Sequence, residues 1–201
     1  MRRGLYIAVE GIDGAGKTTH AKLLTRKLSR EGFKAILVHE PTDSEVGRII
    51  RKALKNKTLP EEAMALLFAA DRLILREVLN DAFKKNYVVV SDRSVLSSLA
   101  YQSAATKNRK WVEEVNRYAA KPDVVVFIDI SPEKALRRLG HSLQRYERAA
   151  FLRSVRREYL RLLRGLGKVV VVKGDQPIQE VSRKIYEGLS PVLRGFPRRP
   201  S

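Results

Sequence analysis

The chain of 201 residues contains no cysteine, which excludes disulfides and thiolate zinc sites. No apolar run approaches the roughly 18 residues that a membrane span needs. The basic start, Met1-Arg2-Arg3, is like the charged end of a signal peptide, but the apolar stretch behind it stops at Glu10. A cytoplasmic location with no membrane partner is therefore expected. Histidine is scarce: His20, His39 and His141 are scattered without metal-ligand spacing, and each reads as solvated or satisfied by one hydrogen bond rather than catalytic. Aromatics are only 7% of the chain, too few among the basic residues to suggest a stacking surface for nucleic acid. Repeats, low-complexity segments and interdomain linkers are absent as well. The expectation is a single domain, 1–201, with a lid at about 137–148 and a short basic tail at about 195–201. The lack of cysteine, the two methionines and the many charges fit a heat-adapted source.

Positive charge is what the chain has in excess, with 40 Lys and Arg against 22 Asp and Glu and a formal charge of +18. Two readings compete. An enzyme handling several phosphates uses positive potential to draw them in, whereas a nucleic-acid binder needs a basic stripe. The densest basic stretch, Arg145 to Arg164, has a helical pattern. Weak nonspecific binding to nucleic acid is expected as a side effect, with no specific nucleic-acid partner.

Residues 11–18 read Gly11-Ile12-Asp13-Gly14-Ala15-Gly16-Lys17-Thr18, a complete G-x-x-x-x-G-K-[ST] phosphate-binding loop. Its context is right. Leu5-Tyr6-Ile7-Ala8-Val9 is a short β-preferring run, and Thr19 to Leu28 carries Ala21, Leu24 and Leu28 at helical spacing. In such a loop backbone N–H groups turn inward around phosphate oxygens, and the helix N-terminus adds partial positive charge. Lys17 is expected to reach the β and γ phosphates and the Thr18 hydroxyl to hold Mg²⁺. The motif points to a bound nucleoside triphosphate contacted from Gly11 to Thr19.

Further apolar runs lie at Ala35–Val38, Tyr87–Val90, Val124–Ile128 and Val169–Val172, alternating with helical patterns at about 45–54, 61–83, 95–105, 109–119, 132–139, up to 163, and 178–189. Continuous apolar strands separated by helices predict an α/β fold with a parallel sheet covered on both faces. Ligands then bind beyond the carboxyl ends of the strands. Glu40-Pro41-Thr42, Ser91-Asp92-Arg93-Ser94 and Asp129-Ile130-Ser131 follow strands two, three and four. Asp92 is placed to hold Mg²⁺ directly or through water, and Arg93 to grip a phosphate bidentately. Asp129 reads equally as a helix cap or a catalytic-edge residue. Asp71, which interrupts an apolar stripe, reads as a buried partner for an arginine or as an exposed charge.

Glu40-Pro41-Thr42, Arg51, Leu67-Phe68-Ala69-Ala70-Asp71-Arg72, Asp92-Arg93…Ser97…Ala100-Tyr101-Gln102 and Arg145-Tyr146-Glu147 together resemble the thymidylate kinase family, in order and spacing, from residue 5 to about residue 190. The resemblance implies the three-layer P-loop kinase fold with a five-stranded parallel sheet and a short lid, ATP and Mg²⁺ as cofactors, dTMP as acceptor, and a homodimer. Phe68 and Arg72 are i and i+4 on one helix; by resemblance Phe68 stacks on thymine and Arg72 donates to its O4, where cytosine presents an amino donor. Core packing is the other reading of Phe68, and of Tyr101. By resemblance Ser98 contacts the base, Tyr101 packs where a 2′-hydroxyl would lie, Arg51 and Arg93 clamp the monophosphate, Glu40 is a further substrate contact, and Asp13 approaches the 3′-hydroxyl and metal region. Some members carry an arginine in the loop where this chain has Gly14; the variant with glycine draws the transition-state arginine from the lid. Arg145 is the candidate, with Arg137, Arg138 and Arg148 as neighbours and Arg138 on the ATP side. The implied catalytic set is Lys17, Asp92, Arg93 and Arg145, with Thr18 and Asp92 at the metal.

Two departures from the family pattern stand out. Ser94 replaces the usual aromatic or histidine, which is expected to loosen one wall of the acceptor site, and Lys173 stands where an aspartate is usual, which touches the adenine side. Rival readings are a P-loop kinase acting on dUMP, another monophosphate or a nucleoside, and a nucleic-acid-associated NTPase whose turnover nucleic acid would stimulate.

Overall fold

Strands that are apolar at every residue need cover on both faces, and the chain supplies it by returning a helix after each strand. A computed structural model describes residues 4–140 and 145–198, with side chains for 4–140 and 148–198. The strands are β1 (Leu5–Glu10), β2 (Ala35–His39), β3 (Val88–Asp92), β4 (Val124–Asp129) and β5 (Val169–Lys173). They form one sheet in the order β2-β3-β1-β4-β5, every pair parallel. The helices are α1 (Lys17–Arg30), α2 (Glu45–Asn56), α3 (Glu61–Lys84), α4 (Val95–Thr106), α5 (Arg109–Val115), α6 (Pro132–Leu139), α7 (Arg145–Leu163) and α8 (Ile178–Leu193). This is the expected three-layer α/β fold. The expected lid lies partly on α6 and α7 and partly, with His141, outside the described residues, as do residues 199–201 of the tail.

The period-two alternation of the central strands divides the core. Leu5, Ile7, Val9, Val88 and Val90 join the large cluster with Ala21, Leu24 and Leu28 of α1, Val155 and Tyr159 of α7, and Ile185 and Leu189 of α8. Tyr6 and Val89, opposite each other in the β1–β3 register, instead meet Leu75, Leu79, Ala82 and Phe83 of α3. A third, smaller cluster of Ile50, Ala53 and Met64, with Phe68 against it, fastens α2 to α3. No helix among the described residues is long and apolar enough to cross a membrane.

Helix starts follow capping chemistry: Ser44, Ser94, Asn108 and Ser131 each accept a backbone N–H from the first turn of α2, α4, α5 and α6. Two ends differ from expectation. The pattern up to 119 stops being helical at Val115, because the Asn116 side chain turns back to donate to the Val112 carbonyl at 2.8 Å and the chain continues in tight turns. At the other end of the chain, α8 runs past Leu189 to Leu193 and contains Pro191; burial of Leu193 holds that last turn in place. At Gly47 a Cβ would strike the Thr42 carbonyl oxygen, so only glycine lets α2 sit directly on the turn after β2.

Candidate active site

β1 is the middle strand, so the phosphate loop after it opens at the centre of the sheet's carboxyl edge, between the ends of β3 and β4. Gly16 adopts the left-handed conformation, with φ 96°, as it enters α1, which glycine takes without strain. Gly14 is left-handed too, at φ 81°, and a Cβ there would come within 2.5 Å of the Ala135 carbonyl oxygen. An arginine at position 14 therefore has neither the backbone nor the space. Lys17 is buried, its Nζ donating to the Ile12 carbonyl at 2.8 Å and lying 3.9 Å from Asp13. Burial and the nearby Arg93 guanidinium pull the Lys17 ammonium down to about 7, against the opposing pull of Asp13 and Asp92.

At the end of β3 the Thr18 hydroxyl donates to Asp92 Oδ2 at 2.5 Å. The other carboxylate oxygen, Oδ1, is buried without a partner among the described residues. A hydroxyl and an unsatisfied carboxylate oxygen side by side, both hard oxygen donors, fit a Mg²⁺ ion or its bound water. Next along, Arg93 has φ 78°, an uncommon backbone for a side chain with a Cβ and a frequent mark of functional positions. It is fixed by its own N–H to the Val9 carbonyl and by the Ser91 hydroxyl on its carbonyl. Its guanidinium pairs with Asp13, donates to Ser97 Oγ at 3.2 Å and lies 5.4 Å from the Tyr101 ring centre. Burial raises the Asp13 carboxyl, but Arg93 and Lys17 outweigh it and hold the group below its ordinary range.

One cavity runs from Asp13 and Arg93 past Tyr101 to an end lined by Leu54, Phe68, Arg72, Ser98 and Gln102. Phe68 serves both readings, packing one side on the α2–α3 cluster and lining this cavity. Arg72 and Glu40 are buried together, joined by Nε to both carboxylate oxygens at 3.1 and 3.0 Å and by Nη2 to Oε2 at 2.6 Å. Arg72 Nη2 also donates to Ser98 Oγ at 2.9 Å, and Nη1 donates to Asn116 Oδ1. Gln102 Oε1 is buried here without a partner among the described residues. Tyr101 accepts the Asp13 N–H at 2.9 Å, which ties the phosphate loop to the wall of this cavity.

Two neighbouring spaces complete the site. Over the loop, Gly14, Gly16, Lys17, Thr18 and Thr19 share a cavity with Arg93 and Arg148. Beside it, Arg51 lines a second space with Thr18, Asp92 and Arg93, its Nη1 on the Pro41 and Thr42 carbonyls at 3.0 and 2.7 Å. Arg138 donates to the carbonyls of Gly14 and Gly174 at 3.3 and 2.7 Å, placing a guanidinium between the phosphate loop and the turn after β5. Lys173 is exposed there, but Asp175 two residues on supplies a carboxylate, paired with Lys134 at 2.5 Å. Arg145 opens α7, and its side chain lies outside the described residues; Arg148 is the α7 arginine seen over the loop.

Several sequence expectations change. Asp71 is buried, yet its partners are not an arginine: Oδ2 accepts the Thr42 N–H at 2.7 Å and Oδ1 the Thr42 and Ser44 hydroxyls at 2.5 and 2.7 Å. It pins the turn carrying Glu40. Asp129 caps nothing, because Ser131 does that; Arg156 of α7 grips it with two bonds of 2.6 and 2.8 Å. Ser94 does not loosen the acceptor wall, since it is fully buried and donates to Glu10 Oε1 at 2.7 Å. Glu10 reads in the sequence only as the end of an apolar run. Its other oxygen takes the hydroxyls of Ser97 and Tyr159, both at 2.8 Å, while burial, its largest influence, pushes the carboxyl up. Asn116 was also missed, and Gln102 had been noted without a role.

This arrangement can cradle a polyphosphate, hold a hard cation and clasp a flat ring beside one buried guanidinium. The family model for thymidylate kinase matches residues 9–185. Among curated proteins, the chain is 38% identical over 193 residues to the probable thymidylate kinase of Methanobrevibacter smithii, covering 94% of this chain and 96% of that one. It is 40% identical over 191 residues to its namesake from Methanothermobacter thermautotrophicus, covering 93% and 95%, and 37% identical over 204 residues to that of Pyrococcus horikoshii, covering 96% and 100%. A match that begins inside β1 and ends on α8 takes in every strand end and every side chain just described, and on that ground the chain belongs to the thymidylate kinase family.

Proposed function

We propose that the protein transfers the γ-phosphoryl group of ATP to the phosphate of dTMP, giving dTDP and ADP. The observation that carries the choice of acceptor is the base end of the cavity. Arg72 offers one N–H there, beside the unpartnered Gln102 carbonyl oxygen and the Phe68 ring. A 4-oxo pyrimidine answers that pair with an acceptor at O4 and a donor at N3. Cytosine sets an amino donor against a guanidinium, which has no acceptor to offer. Tyr101, locked onto the Asp13 N–H, fills the space beside the sugar and favours deoxyribose.

The acceptor phosphate is largely ionised at neutral pH, its second pKa being about 6, so no general base is required. An acceptor oxygen attacks the γ-phosphorus, the bond to the β–γ bridging oxygen breaks, and ADP leaves with that electron pair. The chain's part is to position and neutralise. The loop N–H groups and Lys17 hold the donor phosphates, while Arg51 and Arg93 flank the acceptor phosphate. A cation from α7 covers the exchange; the family resemblance points to Arg145, and the cavity over the loop adds Arg148. Thr18 and Asp92 would hold Mg²⁺, which when bound would supply charge neutralisation for the donor phosphates. Arg138 and the turn at Gly174 bound the adenine side. This concentration of arginine and lysine gives the net charge a use in drawing in phosphates, with no nucleic-acid partner needed.

Closure of 137–148 as a lid would keep water from the donor. A homodimer is supported by the exposed apolar row Leu66, Leu73, Ile74 and Val78 along α3, more than a lone solvated helix needs. The test of the function is ADP release from Mg-ATP with dTMP, dUMP, dCMP, dGMP or no acceptor, in parallel. Turnover strongest with dTMP, lower with dUMP and slight with the rest is expected; equal turnover without acceptor, or preference for another monophosphate, refutes the reading.

A further inference from the structure

We propose that Asn116 sets the base selectivity of the acceptor site by holding Arg72 so that a single N–H faces the base. A guanidinium has five N–H groups. On Arg72, Nε is taken by Glu40, Nη2 by Glu40 and Ser98, and one N–H of Nη1 by Asn116. One N–H of Nη1 is left without a partner among the described residues, on a side chain that lines the cavity.

Asn116 itself has no freedom to present the wrong end of its amide. Its Nδ2 donates to the Val112 carbonyl at 2.8 Å, which turns Oδ1, an acceptor, toward Arg72. The residue is buried, sits just past the end of α5 and is not among the residues lining the cavity. It therefore acts through Arg72 and is a positioning residue.

Selectivity follows from rigidity. Glu40 and Ser98 hold one edge of the guanidinium, and without Asn116 the plane can swing about that edge. Wild-type Arg72 must donate: it meets O4 of a 4-oxo base with a bond and the amino group of a 4-amino base with a clash. A swung Arg72 loses the bond to the first and the clash with the second, so discrimination falls from both sides.

This inference rests on the dTMP reading, and the two are tested on different proteins. Wild type with dTMP and dCMP tests the acceptor assignment; a wild type that does not prefer dTMP ends both. If that preference holds, Asn116→Leu, which keeps the volume and removes the acceptor, is expected to raise KM for dTMP. The dTMP-to-dCMP ratio of kcat/KM should fall by at least about tenfold, with kcat for dTMP within about twofold. Asn116→Asp keeps an acceptor toward Arg72 but loses the donor to the Val112 carbonyl, so its ratio should fall less than that of Asn116→Leu, and an equal fall overturns the proposal. An unchanged ratio in Asn116→Leu, or an equal fall for both substrates, overturns the proposal and leaves the dTMP reading standing. If Asn116→Leu yields no folded protein by thermal melt, Asn116→Ser, whose hydroxyl falls short of Arg72, is judged by the same criteria.

Discussion

Replacing Glu40 by alanine isolates a charge rather than removing one. The Glu40 and Arg72 side chains are each 3% exposed and meet at 2.6 Å. After Glu40→Ala the guanidinium keeps Ser98 and Asn116, both neutral acceptors, and has no anion to balance it. Breaking a buried pair from one side costs about 3–5 kcal/mol, whereas replacing both partners with apolar groups is often close to neutral. In a chain of this length each kcal/mol shifts the melting midpoint by about 2–4 °C, so a fall of about 6–20 °C is expected. Urea denaturation at pH 7 on Glu40→Ala, Arg72→Met and the double variant Glu40→Ala/Arg72→Met gives the coupling directly. The double variant should be more stable than Glu40→Ala alone. Glu40→Ala losing under about 1 kcal/mol, or two single losses that simply add in the double variant, would refute the argument that each charge depends on the other.

Two further outcomes follow from the site's electrostatics and its scaffold. Burial and Arg93 pull the Lys17 ammonium down to about 7, and bound phosphates favour its charged form, so nucleotide binding at pH 8 should take up protons and affinity should fall as pH rises through that range. Calorimetry in buffers of differing ionisation enthalpy reads that uptake, and a heat independent of buffer contradicts it. Asp71→Asn sets an amide against the donors of Thr42 and Ser44 and should cost about 2–3 kcal/mol. Because the same turn carries Glu40 and two carbonyls that hold Arg51, KM for dTMP should rise more than KM for ATP; steady-state kinetics with each substrate varied distinguishes the two.

What could be read from the sequence was what lies close together in it. The phosphate loop is eight consecutive residues, and the strands are unbroken apolar runs, so fold, loop and strand-end residues were visible before any coordinates. Phe68 and Arg72 share a helix face by simple periodicity. Glu10, by contrast, looked only like the place where an apolar run ends. Its burial comes from hydroxyls 84, 87 and 149 residues away, a separation that no local pattern encodes. Asp71 was half legible: the stripe it interrupts left burial and exposure equally open, and its partners lie on another element. Asn116 was lost because the apolar spacing ran on past it, while a side-chain bond to Val112 ended the helix.

The hydroxyl of Tyr159 on Glu10 has a mechanical meaning. It pins α7 to the central strand, and Arg148, facing the phosphate loop, lies eleven residues nearer the start of that helix, about 16 Å along its axis at 1.5 Å per residue. Ala149, Leu152 and Val155, buried in the same core, and the pair of Arg156 with Asp129 carry that anchor almost to Arg148, so the helix is a fixed arm that aims the arginine.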